Sequence, residues 1–410
     1  MGPEVLAYPF LFIAIFFEMF VFLTFLSTPA RLARKRIIGV HLPSVAIIVP
    51  SYNEAKTILR TALSALSLTY PKDKLEVILV DDGSTDATPE VMETLRDNPQ
   101  ITIIRKENGG KHTALNAGIA VTSAEFIGCL DADSVVESNA LHEAMACFDS
   151  PNIAATTAAM SVHEPKSILQ HMQNAEYIFG IMLRHTLSSV NGLYVTPGPF
   201  SFYRRSVVNE LGGFREGYQT EDLEMALRIQ KAGYRIENAP RARVYTQAPV
   251  NVRRLVKQRM RWTTGFLRNI LNEYRGLIGN VKQGALGTIV LPIGILAIGS
   301  SMVLFCISLF LLTRRVIHTI VVHQGVPFTF HFSNLTFDWF YIPLSFFLLL
   351  AFITVLMTLS LVAVGKKVSG TPGSLARGIF AYTILYGFIA PYWLMRATAD
   401  VVTGTKRQWR

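Results

Sequence analysis

The sequence predicts an α/β domain on a mainly parallel, mixed sheet, set between helices that enter a membrane. Three observations carry this. Short β-branched runs alternate with helix-spaced segments across Ser44–Arg275, four apolar stretches lie outside that region, and paired acidic residues stand where two predicted strands end. The chain has 410 residues, half of them hydrophobic and 17% charged, enough for one sizeable core plus membrane segments.

Taken in order, Leu6–Leu26 is interrupted only by Tyr8, Pro9, Glu18 and Thr24. It has roughly the 20 residues that a bilayer core requires. A signal peptide would carry basic residues before it; here Arg31, Arg34, Lys35 and Arg36 follow it. That arrangement predicts an uncleaved anchor with the next domain cytoplasmic. Glu18 should face protein rather than lipid. VAIIVP (45–50), LEVILVDD (75–82), ITIIRK (101–106) and EFIGCLDAD (125–133) read as strands. Ala55–Leu68, Thr88–Arg96 and Thr113–Ala120 between them read as helices, a rhythm that gives parallel pairing with right-handed crossovers. Beyond the domain, Gly284–Thr313, Tyr341–Val364 and Ile379–Leu394 are apolar, the last short for a span. The resulting division is 1–30, 43–250, 251–283 and 284–410. If all three late stretches crossed, the basic tail at 405–410 would lie outside, against the positive-inside tendency. Ile379–Leu394, with Pro391 in it, is the candidate to lie in the interface or re-enter.

Composition excludes several classes. The net charge of +10 suits anionic lipid or an anionic substrate, and without a nucleic-acid motif it does not argue for nucleic acid. Three scattered cysteines with no CxxC pair suggest neither a zinc cage nor a disulfide framework. The first strand runs into PSYNEAK instead of GxGxxG, and the Gly110–Lys111 pair lacks the rest of a P-loop.

Ligands of parallel sheets sit at the carboxyl ends of the strands, which is where the acidic motifs fall. DDGSTD (81–86) is either a polar turn with a helix cap or a site for a base N–H or ribose hydroxyl. DAD (131–133) is either a solvated strand end or a pair of carboxylates converging on Mg²⁺ or Mn²⁺. TED (220–222), with Glu224 close by, is either a capped helix start or a general base facing a cleft. QRMRW (258–262) places Gln258, Arg261 and Trp262 on one helical face, with Arg259 pointing elsewhere. That face suits a diphosphate and a sugar ring, and it equally suits a membrane-interfacial helix.

The order DDG, DxD, TED, QxxRW, flanked by apolar spans, resembles the membrane-embedded, processive family 2 glycosyltransferases, the cellulose, chitin and hyaluronan synthases and their relatives. In layout it is most similar to the nodulation-type chitooligosaccharide synthases. The resemblance covers roughly Pro43–Trp262. It implies a GT-A fold, a UDP-sugar donor, a divalent metal and an inverting transfer to a growing β-linked glycan. Carried over residue by residue, Tyr52, Glu54, Asp81, Asp82 and Lys111 would bind the nucleotide. Asp131 and Asp133 would hold the metal, Asp222 would be the base, and Gln258 and Arg261 would grip the pyrophosphate. Trp262, Glu221, Gly198 and Pro199 would line the acceptor, the last two in TPGPFSFYRRS (196–206), which otherwise reads as an ordinary Gly/Pro loop.

The expected product contains N-acetylglucosamine and is made at the plasma membrane; a homo-oligomer or secretion partner would complete an export path. The alternatives are a β-glucan or poly-N-acetylglucosamine synthase, and non-processive transfer of one sugar to a lipid carrier. From another class, a transporter with a nucleotide-sensing domain is disfavoured by the one large soluble insert.

Overall fold

A computed structural model describes residues 3–27, 42–322, 346–405 and 407. The basic run at 31–36, the start of the third apolar stretch at 341–345 and positions 406 and 408–410 lie outside the described residues. A short turn of 3-10 helix leads into α1 (Tyr8–Ser27). Then β1 (Val45–Ser51), α2 (Ile58–Leu66), β2 (Leu75–Asp82), α3 (Thr88–Glu93), β3 (Ile101–Lys106), α4 (Lys111–Val121) and β4 (Phe126–Cys129) follow the predicted alternation. The helix expected from Ala55 starts at Ile58, because the Glu54 and Ala55 N–H groups donate to Thr88 Oγ1 and Asp86 Oδ2 of the neighbouring loop.

The second half of the sheet was not read from the sequence. It comprises β5 (Val135–Val136), α5 (Ala140–Met145), β6 (Ile153–Val162), α6 (Ile168–Ser189), β7 (Ser201–Arg204), α7 (Arg205–Glu210), α8 (Glu221–Lys231) and β8 (Arg235–Thr246). The order is β3-β2-β1-β4-β7-β6-β8-β5. Pairing is parallel through β3-β2-β1-β4 and between β6 and β8, and antiparallel where β7 and β5 join. Alternate residues of β1 feed two cores. Val45, Ile47 and Val49 face α2 and α5, while Ala46 and Ile48 face α4, as a period of two on a doubly covered sheet requires.

The domain closes with α9 (Val252–Arg268), which carries QRMRW and continues into a π-helical turn, Asn269–Glu273. Then come α10 (Leu291–Val322), α11 (Phe346–Ser369) and α12 (Ala376–Val402). Among the described residues, four helical stretches are long and apolar enough to cross a membrane: Val5–Ser27, Leu286–Val322, Leu348–Ser369 and Ala376–Val402. The last runs well past the predicted Ile379–Leu394, through Arg377, Arg396 and Asp400, which a hydropathy reading leaves out.

Candidate active site

Parallel register brings the acidic motifs to one edge. Ser51 lies opposite Asp81, and Ile48 opposite Cys129, so the segments after β1, β2 and β4 emerge side by side. The first two loops are stitched together: Asn53 N donates to Ser84 Oγ, and Asn53 Oδ1 accepts from Thr85 N.

The two aspartates of DDG divide their work. Asp81 is buried; its Oδ1 accepts from Ser84 N, and its Oδ2 has no hydrogen-bond partner although Arg105 Nε lies 3.4 Å away. An acceptor left open there fits an incoming base N–H. Asp82 does not fit the nucleotide-lining expectation. Its carboxylate accepts from Lys106 Nζ (2.7 Å), Gly109 N (3.0 Å) and Gly110 N (2.9 Å). Burial opposes its charge, yet these donors hold it below the usual carboxylate range. Asp82 therefore shapes the glycine turn from which Lys111 starts α4. Tyr52 is exposed at the mouth.

Lys111 joins the second and third motifs. Its Nζ lies 2.6 Å from Asp131 Oδ1 and 3.0 Å from Glu221 Oε1. Burial opposes its charge, but Asp131, Glu221 and Asp222 keep it protonated well above its ordinary range. Glu221, expected to face the acceptor, is instead buried against this ammonium. Gly198 lies close against this pair, so that a methyl group there would displace Lys111 Nζ and press on Asp131. Two residues on, Phe200 is fully buried with φ 61°, a left-handed conformation that a bulky side chain holds only when its surroundings impose it. So the TPGPF loop packs against the Lys111–Asp131 pair.

The donor set fits a divalent cation. Ser134 and Thr246 hydroxyls donate to Asp133 Oδ1 and fix its rotamer. Burial, then Asp131 and Glu54, push Asp133 up to about 6. Glu54 is also raised, by burial first and then, against the Thr57 hydroxyl bonded to it, by Asp131 and Asp86. Among the described residues no cluster of three or more His, Cys, Asp or Glu forms a metal cage. One or two carboxylates plus phosphate oxygens is the usual Mg²⁺ arrangement.

Asp222 opens α8. Thr196 Oγ1 donates to its main-chain carbonyl (2.8 Å), and Leu223 N donates to its Oδ1 (2.8 Å). Burial and then Glu221 raise its carboxyl above the usual range, against the pull of Lys111 and Arg261; Glu221, closer to the ammonium, is held low despite its burial. Neighbouring acids driven in opposite directions are a pattern that acid–base sites share with structural ion-pair networks. Thr220 does not cap the helix as expected; its hydroxyl donates to the Gly217 carbonyl. Glu224 is structural, buried against Arg228 and the Tyr274 hydroxyl.

The turn before Asp222 is strained. Gly217, Tyr218 and Gln219 all have left-handed φ, of 52°, 55° and 65°. One face of α9 and its π-helical extension grips it. Arg261 Nη1 donates to Gln219 O (3.0 Å), while Asn269 Nδ2 reaches Gly217 O (2.8 Å) and Thr220 Oγ1 (3.2 Å). Gly265 lies against the Thr220 side chain with no room for a methyl group. Nothing in the tripeptide TED announces this support; only the helical spacing of 261, 265 and 269 could have.

Arg259 does not point away. It is buried, pairs with Glu176 at 2.7 Å, donates to Gln258 Oε1 and lies 4.2 Å from the Trp262 ring centroid. It thereby fixes two members of the motif. Arg253, Arg254 and Lys257 are exposed.

Comparisons with known proteins bear on the fold and the class of enzyme. Residues 46–212 match the glycosyl transferase family 2 description. A poly-beta-1,6-N-acetyl-D-glucosamine synthase of Staphylococcus epidermidis is 30% identical over 246 residues, 59% of each chain. The same-named protein of Staphylococcus aureus is 30% identical over 237 residues, 57% of each. The matched region thus covers under two thirds of these relatives' length. In structure, the mannosyltransferase PcManGT from Pyrobaculum calidifontis, in complex with GDP-Man and Mn²⁺, overlays with a TM-score of 0.66 at 18% identity, covering 98% of this chain and 100% of that one. Residues 46–212 therefore match a family 2 glycosyltransferase domain, the fold is GT-A, and among the described residues long apolar helices stand on both sides of it.

Proposed function

We propose that this glycosyltransferase moves N-acetylglucosamine from UDP-N-acetylglucosamine onto a growing β-linked glycan at the cytoplasmic face of the plasma membrane. The observation that carries the reading is the contact network in which Lys111 ties DxD to TED while Arg261 holds the turn before Asp222. Similarity to the staphylococcal synthases supports the sugar.

The chemistry is one displacement at the anomeric carbon. Asp222 takes the proton of the acceptor hydroxyl, the new C–O bond forms, and the bond to UDP breaks with inversion. A positioned base is worth about 10²–10⁴-fold. Arg261 and Gln258 would hold the diphosphate, Asp81 would accept from the uracil, and Trp262 would floor the acceptor beside Gly198 and Pro199. Asp131 and Asp133 would hold Mg²⁺ or Mn²⁺, which when bound offsets charge on the leaving diphosphate. Lys111, itself paired with Glu221, keeps Asp131 in place, and the Ser134 and Thr246 hydroxyls fix Asp133.

The test is UDP release from purified protein with UDP-glucose, UDP-N-acetylglucosamine and UDP-glucuronate, then digestion of the product with linkage-specific hydrolases. Turnover of UDP-N-acetylglucosamine alone into a polymer cut by a β-N-acetylglucosaminidase supports the proposal. Turnover of UDP-glucose instead, or a single sugar on lipid, overturns it.

A further inference from the structure

We propose that α12 lies in the plane of the membrane interface, on the catalytic domain's side, and does not cross. Of the four long apolar helices it is the least apolar and the most covered by protein. Most of its cover is the catalytic domain, through α6 and α9, with Ile379 also beside Val362 of α11 and Thr398 reaching Met302 of α10. Just before it, Arg243 Nη1 of β8 donates to Gly370 O (2.9 Å). A methyl group on Gly378 would run into the His171 carbonyl of α6. Ala381 packs with Leu169, Met172 and Leu255, and Ala390 and Trp393 pack with Met260. At the far end, Arg268 Nη2 donates to the carbonyls of Asp400 (3.1 Å) and Thr405 (2.6 Å).

These contacts advance together, from Leu255 to Arg268 on α9 and from Ala381 to Asp400 on α12, so the two helices run side by side in one direction. Helix α9 carries Arg253, Arg254, Lys257, Arg259, Arg261 and Arg268, and one of these reaches the catalytic cleft. Such a helix cannot enter hydrocarbon, and a partner that keeps beside it stays at its depth. Midway along α12, the Tyr386 hydroxyl donates to Glu176, the carboxylate paired with Arg259. An ion pair at that point belongs near water, not at a bilayer centre.

The outer face names the partner. Phe380, Ile384, Phe388 and Tyr392 are exposed at intervals of one helical turn, with exposed Arg377 and Arg396 at the two ends of the stripe. An apolar stripe between cations is how a helix seats itself at the boundary of acyl chains and anionic headgroups. With α1, α10 and α11 as the crossings among the described residues, the chain returns to the catalytic side before α12. The basic residues of 405–410 then stay with the domain, as the positive-inside tendency asks.

Full-length protein in liposomes containing phosphatidylglycerol tests this, with spin labels placed singly at 380, 384, 388 and 392 in a Cys306→Ser background. Depth is read from the ratio of oxygen to nickel-chelate collision rates. The four labels should share one shallow depth. Depth that climbs toward the bilayer centre between 380 and 392 overturns the proposal. A second measurement needs no substitution on the stripe: cysteines at Glu93 in the domain and Thr405 in the tail are challenged with a membrane-impermeant maleimide in sided vesicles. Both should label from the same side; opposite sidedness overturns the proposal whatever the depths.

Discussion

Asn269 Nδ2 donates to the Gly217 carbonyl at 2.8 Å, and through that bond the QRMRW helix holds the strained turn that delivers Asp222. Each left-handed non-glycine residue costs on the order of 1–3 kcal/mol, so Tyr218 and Gln219 keep their conformation only because α9 and its extension impose it.

Gly265→Ala should therefore act at a distance. The added methyl overlaps Thr220 and shifts the turn, and UDP release should fall by about 10–100-fold, the usual penalty for misplacing a reacting group by roughly an ångström. Adding Thr220→Ala should recover part of the loss. A double variant as impaired as the two single losses combined would show that the contact is not the cause.

Lys111→Met leaves Asp131 and Glu221 facing each other without their cation. Turnover should drop by about 10²-fold or more, the scale of a lost electrostatic contact in a dry site. Lys111→Arg should not restore it, because a planar guanidinium cannot take the point position that Nζ holds between Asp131 Oδ1 and Glu221 Oε1. Full activity of the arginine variant in a UDP-release assay would contradict this packing.

The pH profile follows from Asp222, whose carboxyl burial pushes up to about 6. The base must be ionised, so kcat should fall as pH drops through that value and level off above it. Arg261 and Lys111 oppose the shift, and removing either positive charge should move the acidic limb to higher pH. A limb near pH 4, unmoved in Arg261→Ala, would assign the base elsewhere.

Arg259→Ala should be a stability variant. It strips the partner from Glu176 in a largely buried pair, a loss of about 3–5 kcal/mol. Lys257→Ala, at an exposed position one helical turn before Arg261, should change stability by under about 0.5 kcal/mol. Thermal melts in detergent read both, and equal melting temperatures would contradict the assignment of a structural role to Arg259.

The parallel half of the sheet was legible because β1, β2 and β4 are buried on both faces and read as short apolar runs, β-branched-rich in β1 and β2. The other half was not. β6 is rich in alanine, and β8 carries Glu237, Asn238 and Pro240 within a strand, so neither shows a β-branched run. At the site, DxD, TED and QxxRW could be placed from strand ends and helical spacing. Which carboxylate each cation would choose could not. Asp82 turned out to serve the Gly109–Gly110 turn, Glu221 to serve Lys111, and Arg259 to underlie Trp262, since each choice depends on contacts between distant segments.

The most direct test of the catalytic assignment is Asp222→Asn, assayed for UDP-N-acetylglucosamine binding by calorimetry and for UDP release on one preparation. The amide keeps the shape and removes only the proton acceptor. Binding should stay within about threefold of wild type while turnover falls by the 10²–10⁴-fold that a positioned base supplies. Ordinary turnover in that variant would contradict the account.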